Sequence, residues 1–344
     1  MARLDARRTN LGVFAAVTAA TITGFGTYLA GAHSMWWLFW LHGTMGLSLA
    51  SLLWWKGKVI IRGLRSSWPS TTAALALITL GILVAIIGSG VWSAMSRGGK
   101  LGPWGMLEVH VGAALIIIPL FVAHLFGRWV PPAKRDLSRR VLLRASALTA
   151  AGLALRAGTE GITRLAHLAG SKRRFTGSHL IGKPGEKFPD VAWLFDSPKP
   201  VSPATWRLRV HGHVATATTL AYQDVVDAST SSLEATIDCT GGWYSSQRWD
   251  GVRLGELLDR AGVKPGARSI KVTSVTGYSR RYPVPEAREM ILATRVAGAP
   301  LTHGHGFPAR MVAPGRRGFW WVKWVREIEV SEAPSWLESP FPLQ

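Results

Sequence analysis

Cysteine is all but missing: 344 residues hold one, Cys239. A lone thiol cannot close a disulfide within the chain, so the fold is no disulfide scaffold and Cys239 serves packing or chemistry. Acidic residues are scarce in the first half, where residues 1–170 contain only Asp5, Glu108, Asp136 and Glu160. Nucleic-acid motifs are absent, and so is any sequence repeat at a period of about 20–50 residues. The formal net charge is nevertheless +20. Its excess sits between apolar stretches, which points to membrane topology rather than nucleic-acid binding. Charged residues make up 17 %, hydrophobic ones 48 %, and there are 17 tryptophans. This is a membrane-like balance, and the length suggests two domains.

Four apolar stretches are long enough to span a bilayer, which takes about 20 residues each: 11–31, 35–55, 71–92 and 105–126. The first is too long for a removable signal peptide and lacks a cleavage-like tail. Trp36, Trp37, Trp40, Trp54, Trp55, Trp92, Trp104 and Trp129 cluster near the span ends, as an interfacial belt does. Arg3, Arg7 and Arg8 precede span one; Lys56, Lys58, Arg62 and Arg65 follow span two; Arg128, Lys134, Arg135, Arg139 and Arg140 follow span four. The N-terminus is therefore expected in the cytoplasm. A weaker fifth segment, 137–155, begins Ser138-Arg139-Arg140-Val141-Leu142-Leu143-Arg144. It resembles a twin-arginine export signal placed internally; an ordinary basic flank on a fifth helix is the other reading. Either way, residues beyond about Ala157 lie outside the cytoplasm.

Ionisable residues inside spans are functional candidates. Span two carries His42; span four carries His110 and His124. The last two are separated by about 21 Å along a helix and lie about 40° off one face. Imidazole is an axial ligand of haem iron. The depths favour a meeting of His42 and His110 near the outer face. A pair at two depths on one face would suit two stacked haems, but position 56, fourteen after His42, is a lysine, so the inner haem lacks an obvious partner and His124 is a leftover haem ligand, a quinone-site residue or a plain polar residue. The histidine-plus-glycine pattern of both spans resembles four-helix membrane cytochrome b subunits and implies one haem b and exchange with the quinone pool. The plain alternative is that these histidines only bond to neighbouring helices.

Cys239 follows the alternating Leu233, Ala235 and Ile237 and precedes Thr240-Gly241-Gly242. A strand thus ends at a turn where backbone comes close to a bound group. Trp243 and Trp249 are expected to flank a polar loop. A short helix is expected over 252–258. A thiolate suits a transition metal; a buried structural cysteine is the bland reading. Farther on, Trp206 to Gly212 and Ser269 to Val275 read as strands, Leu220 to Ala228 as a helix, and Thr276 to Arg281 as a turn. Glu327 to Val330 is expected to close the sheet.

The stretch around Cys239, with Trp249, Gly251 and Leu254, resembles the molybdenum-ligating region of the sulfite oxidase-type molybdopterin-binding family. Its bacterial branch includes the periplasmic methionine sulfoxide reductase catalytic subunit. A second stretch, His305 to Val325, resembles the family's H/N-G-x-P-x-R … G-x-x-x-x-K segment. The resemblance implies that Cys239 ligates molybdenum held by a molybdopterin, and that Trp243, Tyr278 and Arg280 shape the substrate pocket. It implies pterin contacts by Ser178, His179, Ser274, His305 and Arg310, and a grip on the pterin phosphate by Trp321, Val322 and Lys323. Arginine offers a planar fork and lysine a point charge to a phosphate.

The expected architecture is multi-domain: an α-helical transmembrane bundle of four spans over 1–136, a fifth segment and linker over 137–174, and an extracytoplasmic, mainly-β α+β molybdopterin-binding domain of sulfite oxidase type over 175–344. The expected activity is reduction of an S-oxide or N-oxide with electrons from the membrane pool through haem b. Two alternatives stand beside it. One is a sulfite-type oxidase passing electrons inward, for which Arg248, Arg280 and Arg281 could form an oxyanion pocket. The other is a non-catalytic membrane protein that has lost its metal. The expected partners are membrane lipid, the quinone pool, a small-molecule substrate and the twin-arginine machinery, with no nucleic acid.

Overall fold

A computed structural model describes residues 6–67, 71–96, 100–128, 131, 133–192 and 196–342. The chain divides into two compact units, 1–179 and 180–344. The two-residue strand β3 (His179–Leu180) falls at the division; α1 to α5, β1 and β2 precede it.

The first unit is built of long helices: α1 (Ala6–Leu29), α2 (Trp36–Ser67), α3 (Thr71–Met95), α4 (Met106–Arg128) and α5 (Arg139–Leu165). A small hairpin, β1 (Lys100–Leu101) and β2 (Trp104–Gly105), links α3 to α4. Four helical stretches among the described residues are long and apolar enough to cross a membrane: Arg7–Leu29, Ala73–Met95, Met106–Ala123 and Arg139–Leu165. The expected span in α2 is a helix but is not among the four. The fifth segment qualifies instead, and its helix runs unbroken to Leu165.

Val13 and Val17 of α1, Leu49 and Leu52 of α2, Leu83 of α3 and Ile117 of α4 form the bundle core. Ile22, Ile78, Val84, Leu115 and Ile116 face outward. A helix apolar on all sides suits hydrocarbon surroundings. A Cβ on Gly152 would lie 2.1 Å from Ser48 Oγ and 2.6 Å from the Thr44 carbonyl, so α5 and α2 meet backbone to backbone at this glycine.

The second unit contains two sheets with three short helices. The first sheet includes β6 (Ser231–Asp238), β7 (Trp243–Arg253), β10 (Ile291–Val296), β11 (Ala299–Pro300) and β12 (Arg310–Val312), all paired antiparallel. The second has the order β5 (Thr218–Ala221), β4 (Arg207–Gly212), β13 (Val325–Ser331), β8 (Ser269–Ser274), β9 (Ser279–Pro283). Only β13–β4 in that sheet is parallel. Helices α6 (Tyr222–Asp227), α7 (Leu254–Ala261) and α8 (Val284–Glu289) pack beside them. The core draws on both sheets, with Trp249, Leu292 and Met311 from one and Leu208, Ile270 and Ile328 from the other.

Two expectations change here. β13 does not close its sheet; it lies in the middle, between β4 and β8. Residues 243–253 are an eleven-residue strand rather than a polar loop. Its inward positions alternate Trp243, Ser245, Gln247, Trp249, Gly251. Buried Ser245 and Gln247 mask the apolar period, and their polar atoms are satisfied by the segment that follows β3. Ser245 Oγ donates to the Gly182 carbonyl at 3.2 Å, Gln247 Nε2 donates to the Lys183 carbonyl at 3.1 Å, and Gly185 N–H donates to Gln247 Oε1 at 2.9 Å. The turn expected over 276–281 likewise gives way at Ser279 to strand β9.

Candidate active site

The β6–β7 turn places Cys239. Its N–H donates to the Trp243 carbonyl at 2.8 Å, and Gly242 N–H donates to the Cys239 carbonyl at 3.1 Å. Gly242 adopts φ +88°, a conformation open to glycine. Gly241 N–H points at Sγ, 3.4 Å away. Burial pushes the thiol pKa up, against the pull of the Gly241 amide and of Arg317. A Cβ on Gly318 would stand 3.4 Å from the Cys239 Cα, so the 315–318 turn closes onto the cysteine.

Cys239 opens into a cleft whose walls include Trp243, Tyr278, Arg310, Trp321 and Lys323, together with Asp196, Thr240 and Phe319. Six residues expected at the site from four separate stretches therefore meet. Arg310 is wholly buried, its guanidinium over the rings of Trp249 and Trp321 at 5.4 and 5.7 Å. Its Nη1 donates to the His305 carbonyl at 3.2 Å, its Nε makes no hydrogen bond to a described residue, and burial drives its pKa down to about 9. Among the described residues, Lys323 Nζ donates to the carbonyls of Asp190 and Gly304 alone. Burial, then the Arg310 charge, lowers its pKa to about 7. Neither cation has a carboxylate at ion-pair distance among the described residues. A buried charge without a counter-ion is costly. Beside a thiol, this orphaned pair fits a group that brings both a soft metal and an anion.

The other expected residues sit elsewhere. Arg280 does not line the cleft. It is fully buried behind Tyr278, donating from Nε to the Tyr278 hydroxyl at 2.9 Å and from Nη1 to the Ser339 carbonyl at 2.8 Å. Glu338 lies 3.4 Å from the same Nη1. The tail after β13 thus occupies the guanidinium expected to meet substrate. Tyr278 donates to the Phe319 carbonyl at 2.5 Å, and burial raises its pKa to about 12. Ser274 is buried with its Oγ accepting from Thr276 at 3.0 Å, so it braces the β8–β9 turn. His305 Nε2 faces the Phe188 carbonyl at 3.1 Å; burial, then Arg310, lowers its pKa. Val322 is wholly buried. None of these three lines the cleft. Ser178 and His179 belong to the first unit, where His179 Nε2 lies 3.4 Å from the Ser93 carbonyl. Arg248 pairs with Asp250 at 3.0 Å, and Arg281 donates to Ser269 at 3.0 Å; both are absent from the cleft walls.

One pair escaped the sequence reading. Arg317 Nη1 donates to Asp238 Oδ1 at 2.6 Å, with both side chains buried. Arg317 Nη2 reaches the Cys239 carbonyl at 3.3 Å. This ion pair fastens the 315–318 turn to the strand end that carries the cysteine. Its signal was the acid immediately before Cys239.

In the first unit, His42 and His110 do meet, with ring centres 6.0 Å apart and planes at 84°. The side chain of His124 lies outside the described residues.

Residues 195–337 match the family described as the oxidoreductase molybdopterin binding domain. The second unit carries that domain. It is of the sulfite oxidase and nitrate reductase type, and it is an enzyme domain, an oxidoreductase. Over 130 residues the chain is 32 % identical to the uncharacterized oxidoreductase YuiH of Bacillus subtilis, covering 37 % of this chain and 66 % of that one. Mitochondrial sulfite oxidase of Rattus norvegicus is 34 % identical over 107 residues, 28 % of this chain and 20 % of its own. Among solved structures, the sulfane dehydrogenase SoxCD of Paracoccus pantotrophus matches at 26 % identity and a TM-score of 0.38, covering 39 % of this chain and 40 % of that one. The chain thus spans a little under two thirds of YuiH and less than half of the other two.

Proposed function

We propose that the chain is a membrane-anchored molybdoenzyme that reduces a small S-oxide or N-oxide outside the cytoplasm with electrons from the quinone pool. The supporting observation is the cleft that joins the Cys239 thiol to two buried cations without carboxylate partners. In this reading Cys239 supplies a thiolate to molybdenum, and Arg310 and Lys323 hold the anionic pterin. Molybdopterin, when bound, supplies two-electron oxo transfer. Reducing a sulfoxide to the sulfide and water takes two electrons and two protons. Tyr278, kept protonated by burial, holds one hydroxyl proton at the cleft wall, and Arg280 orients its oxygen from behind. Trp243 and Trp321 bound the space and exclude water.

The helical unit is the anchor, with its N-terminus in the cytoplasm and α5, entered through Arg139 and Arg140, leading to the outer side. One haem b between His42 and His110 would exchange electrons with quinol. The oxidase reading draws support from relatives named sulfite oxidase. Against it stands the position of Arg248, Arg280 and Arg281, none of which lines the cleft. Purified full-length protein should contain about one molybdenum per chain and turn over S-oxides with a reduced quinol analogue. Turnover of sulfite with an electron acceptor, and none of S-oxides, would reverse the direction. A protein without molybdenum would leave the non-catalytic reading.

A further inference from the structure

We infer that the second unit carries an anion-binding hollow apart from the Cys239 cleft, where Arg248 and Arg295 take the phosphate or carboxylate group of a small hydrophilic molecule. The inference does not rest on the molybdenum reading. It gives Arg248, which the cleft leaves out, a task of its own.

The hollow lies where three strands meet a hairpin tip. It measures about 540 Å³, and its walls include Ser229, Thr230, Ser232, Arg248, Asp250 and Arg295. It shares no lining residue with the cleft. Strand β7 runs between the two, and from Trp243 to Asp250 it covers about 23 Å at the rise of a strand. Backbone pairing sets the polar groups in one row: Ser232 of β6 faces Asp250 of β7, and Asp250 faces Arg295 of β10. A register shift between Ala293 and Arg295 makes the row possible. Thr294 is the extra residue and is wholly buried, while Arg295 turns outward. Ser229 braces this bulge, with its Oγ 3.3 Å from Thr294 Oγ1. The β10–β11 tip closes the far wall. Its two residues, Ala297 and Gly298, adopt φ +51° and +79°, as a tight hairpin turn needs. Ala297 N–H donates to the Arg248 carbonyl at 2.8 Å, and Arg295 Nη2 donates to the Gly298 carbonyl.

The charges of the row do not balance. Asp250 accepts from Arg248 Nε at 3.0 Å and from Ser232 at 2.5 Å. Opposite charges facing each other across strands stabilise a sheet when they pair. Arg295 nevertheless turns to the Gly298 carbonyl, and among the described residues it has no carboxylate at ion-pair distance. Its Nε and Nη1 bond to no described residue, and neither does Arg248 Nη1. Two guanidinium groups thus line one hollow with a single carboxylate, each with part of its fork open. That fork matches the paired oxygens of a phosphate or carboxylate. The remaining walls say what the anion is attached to. Ligand pockets of several hundred Å³ are mostly apolar; this one is walled by the hydroxyls of the 229–232 run and by charge. It suits a hydroxylated body and rejects an apolar one such as a quinone. At about 30 Å³ for each water, it has room for far more than one bare anion.

The test is titration calorimetry of the full chain, purified in detergent and chloride buffer, with glucose 6-phosphate, citrate and inorganic phosphate. At least one of the two organic anions should bind at one site per chain, at least tenfold more tightly than inorganic phosphate. Which of them binds tells phosphate from carboxylate as the recognised group. Arg248→Met and Arg295→Met should each weaken that binding at least tenfold. Arg253→Met, outside the hollow and paired with Glu289 at 3.0 Å, should leave it unchanged. Both arginines of the hollow are exposed, so the variants should keep the thermal midpoint of wild type. Binding no tighter than that of inorganic phosphate, binding that survives either variant of the hollow, or no binding of either organic anion would overturn the inference. None of these results bears on the molybdenum site.

Discussion

The two units place their reactive side chains by opposite means. In the helical unit, the imidazoles of His42 and His110 are each aimed by one backbone carbonyl and one missing Cβ on the neighbouring helix, and no charge is spent. In the β unit, the thiol sits on a turn of four residues, and its surroundings are set by buried cations whose partners are incomplete. The first is a site made by regular structure; the second is a site made where regular structure stops. Regular helices repeat, so the first device could be used twice. Strand ends do not, and the second occurs once among the described residues.

The largest expected effect separates the units outright. Cys239→Ser should cut turnover by a factor on the order of 10³ or more, as loss of a group acting at the reacting centre does, while the haem spectrum stays that of wild type. A change in that spectrum would mean the two sites are not independent. Next comes Asp238→Ala, which leaves Arg317 buried without its counter-ion. Breaking such a pair costs about 3–5 kcal/mol, read as lost stability of the β unit in denaturant, with the helical unit unaffected.

Lys323→Met should act in two directions. Cofactor retention should fall about tenfold, the worth of one charge-assisted bond. The cofactor-free protein should become more stable at pH 7. The sign follows from the lysine itself, whose folded pKa of about 7 lies below its ordinary 10.5. Between those values the unfolded chain binds more protons, so stability of the cofactor-free protein rises with pH across that window. The variant should lose that rise; a variant that keeps it would assign the slope to another group. The smallest effect belongs to Gln247→Leu, which removes the side chain that bonds Lys183, Gly185 and Glu186. It should cost about 1–3 kcal/mol in thermal unfolding and leave molybdenum content intact.

Much of this was written in the sequence, for reasons that differ by unit. The long apolar runs announce α1, α3 and α4 because a helix in hydrocarbon needs nothing but apolar side chains. Cys239 stood out as an unmatched thiol, and Arg310 and Lys323 through the resemblance of the His305 to Val325 stretch to the family's segment. What stayed hidden were features that depend on a partner far along the chain. Strand β7 was obscured because Ser245 and Gln247 are satisfied by residues more than sixty positions earlier. Arg280 was assigned to substrate because only the fold shows that the tail at Glu338 and Ser339 already holds it. The carbonyls that hold the His42 and His110 rings were unreadable because backbone groups leave no trace in side-chain identity.

The incomplete pairing of Arg310 and Lys323 reaches past catalysis into the life of the protein. A domain that buries two lone cations is loosest before loading and tightens when an anion arrives, by the mass action that any ligand exerts on a fold. Proteases working on opened chains would therefore remove empty copies faster than filled ones. The same two side chains proposed to grip the cofactor would act as an inspection stamp, legible to the cell's housekeeping without any dedicated receptor.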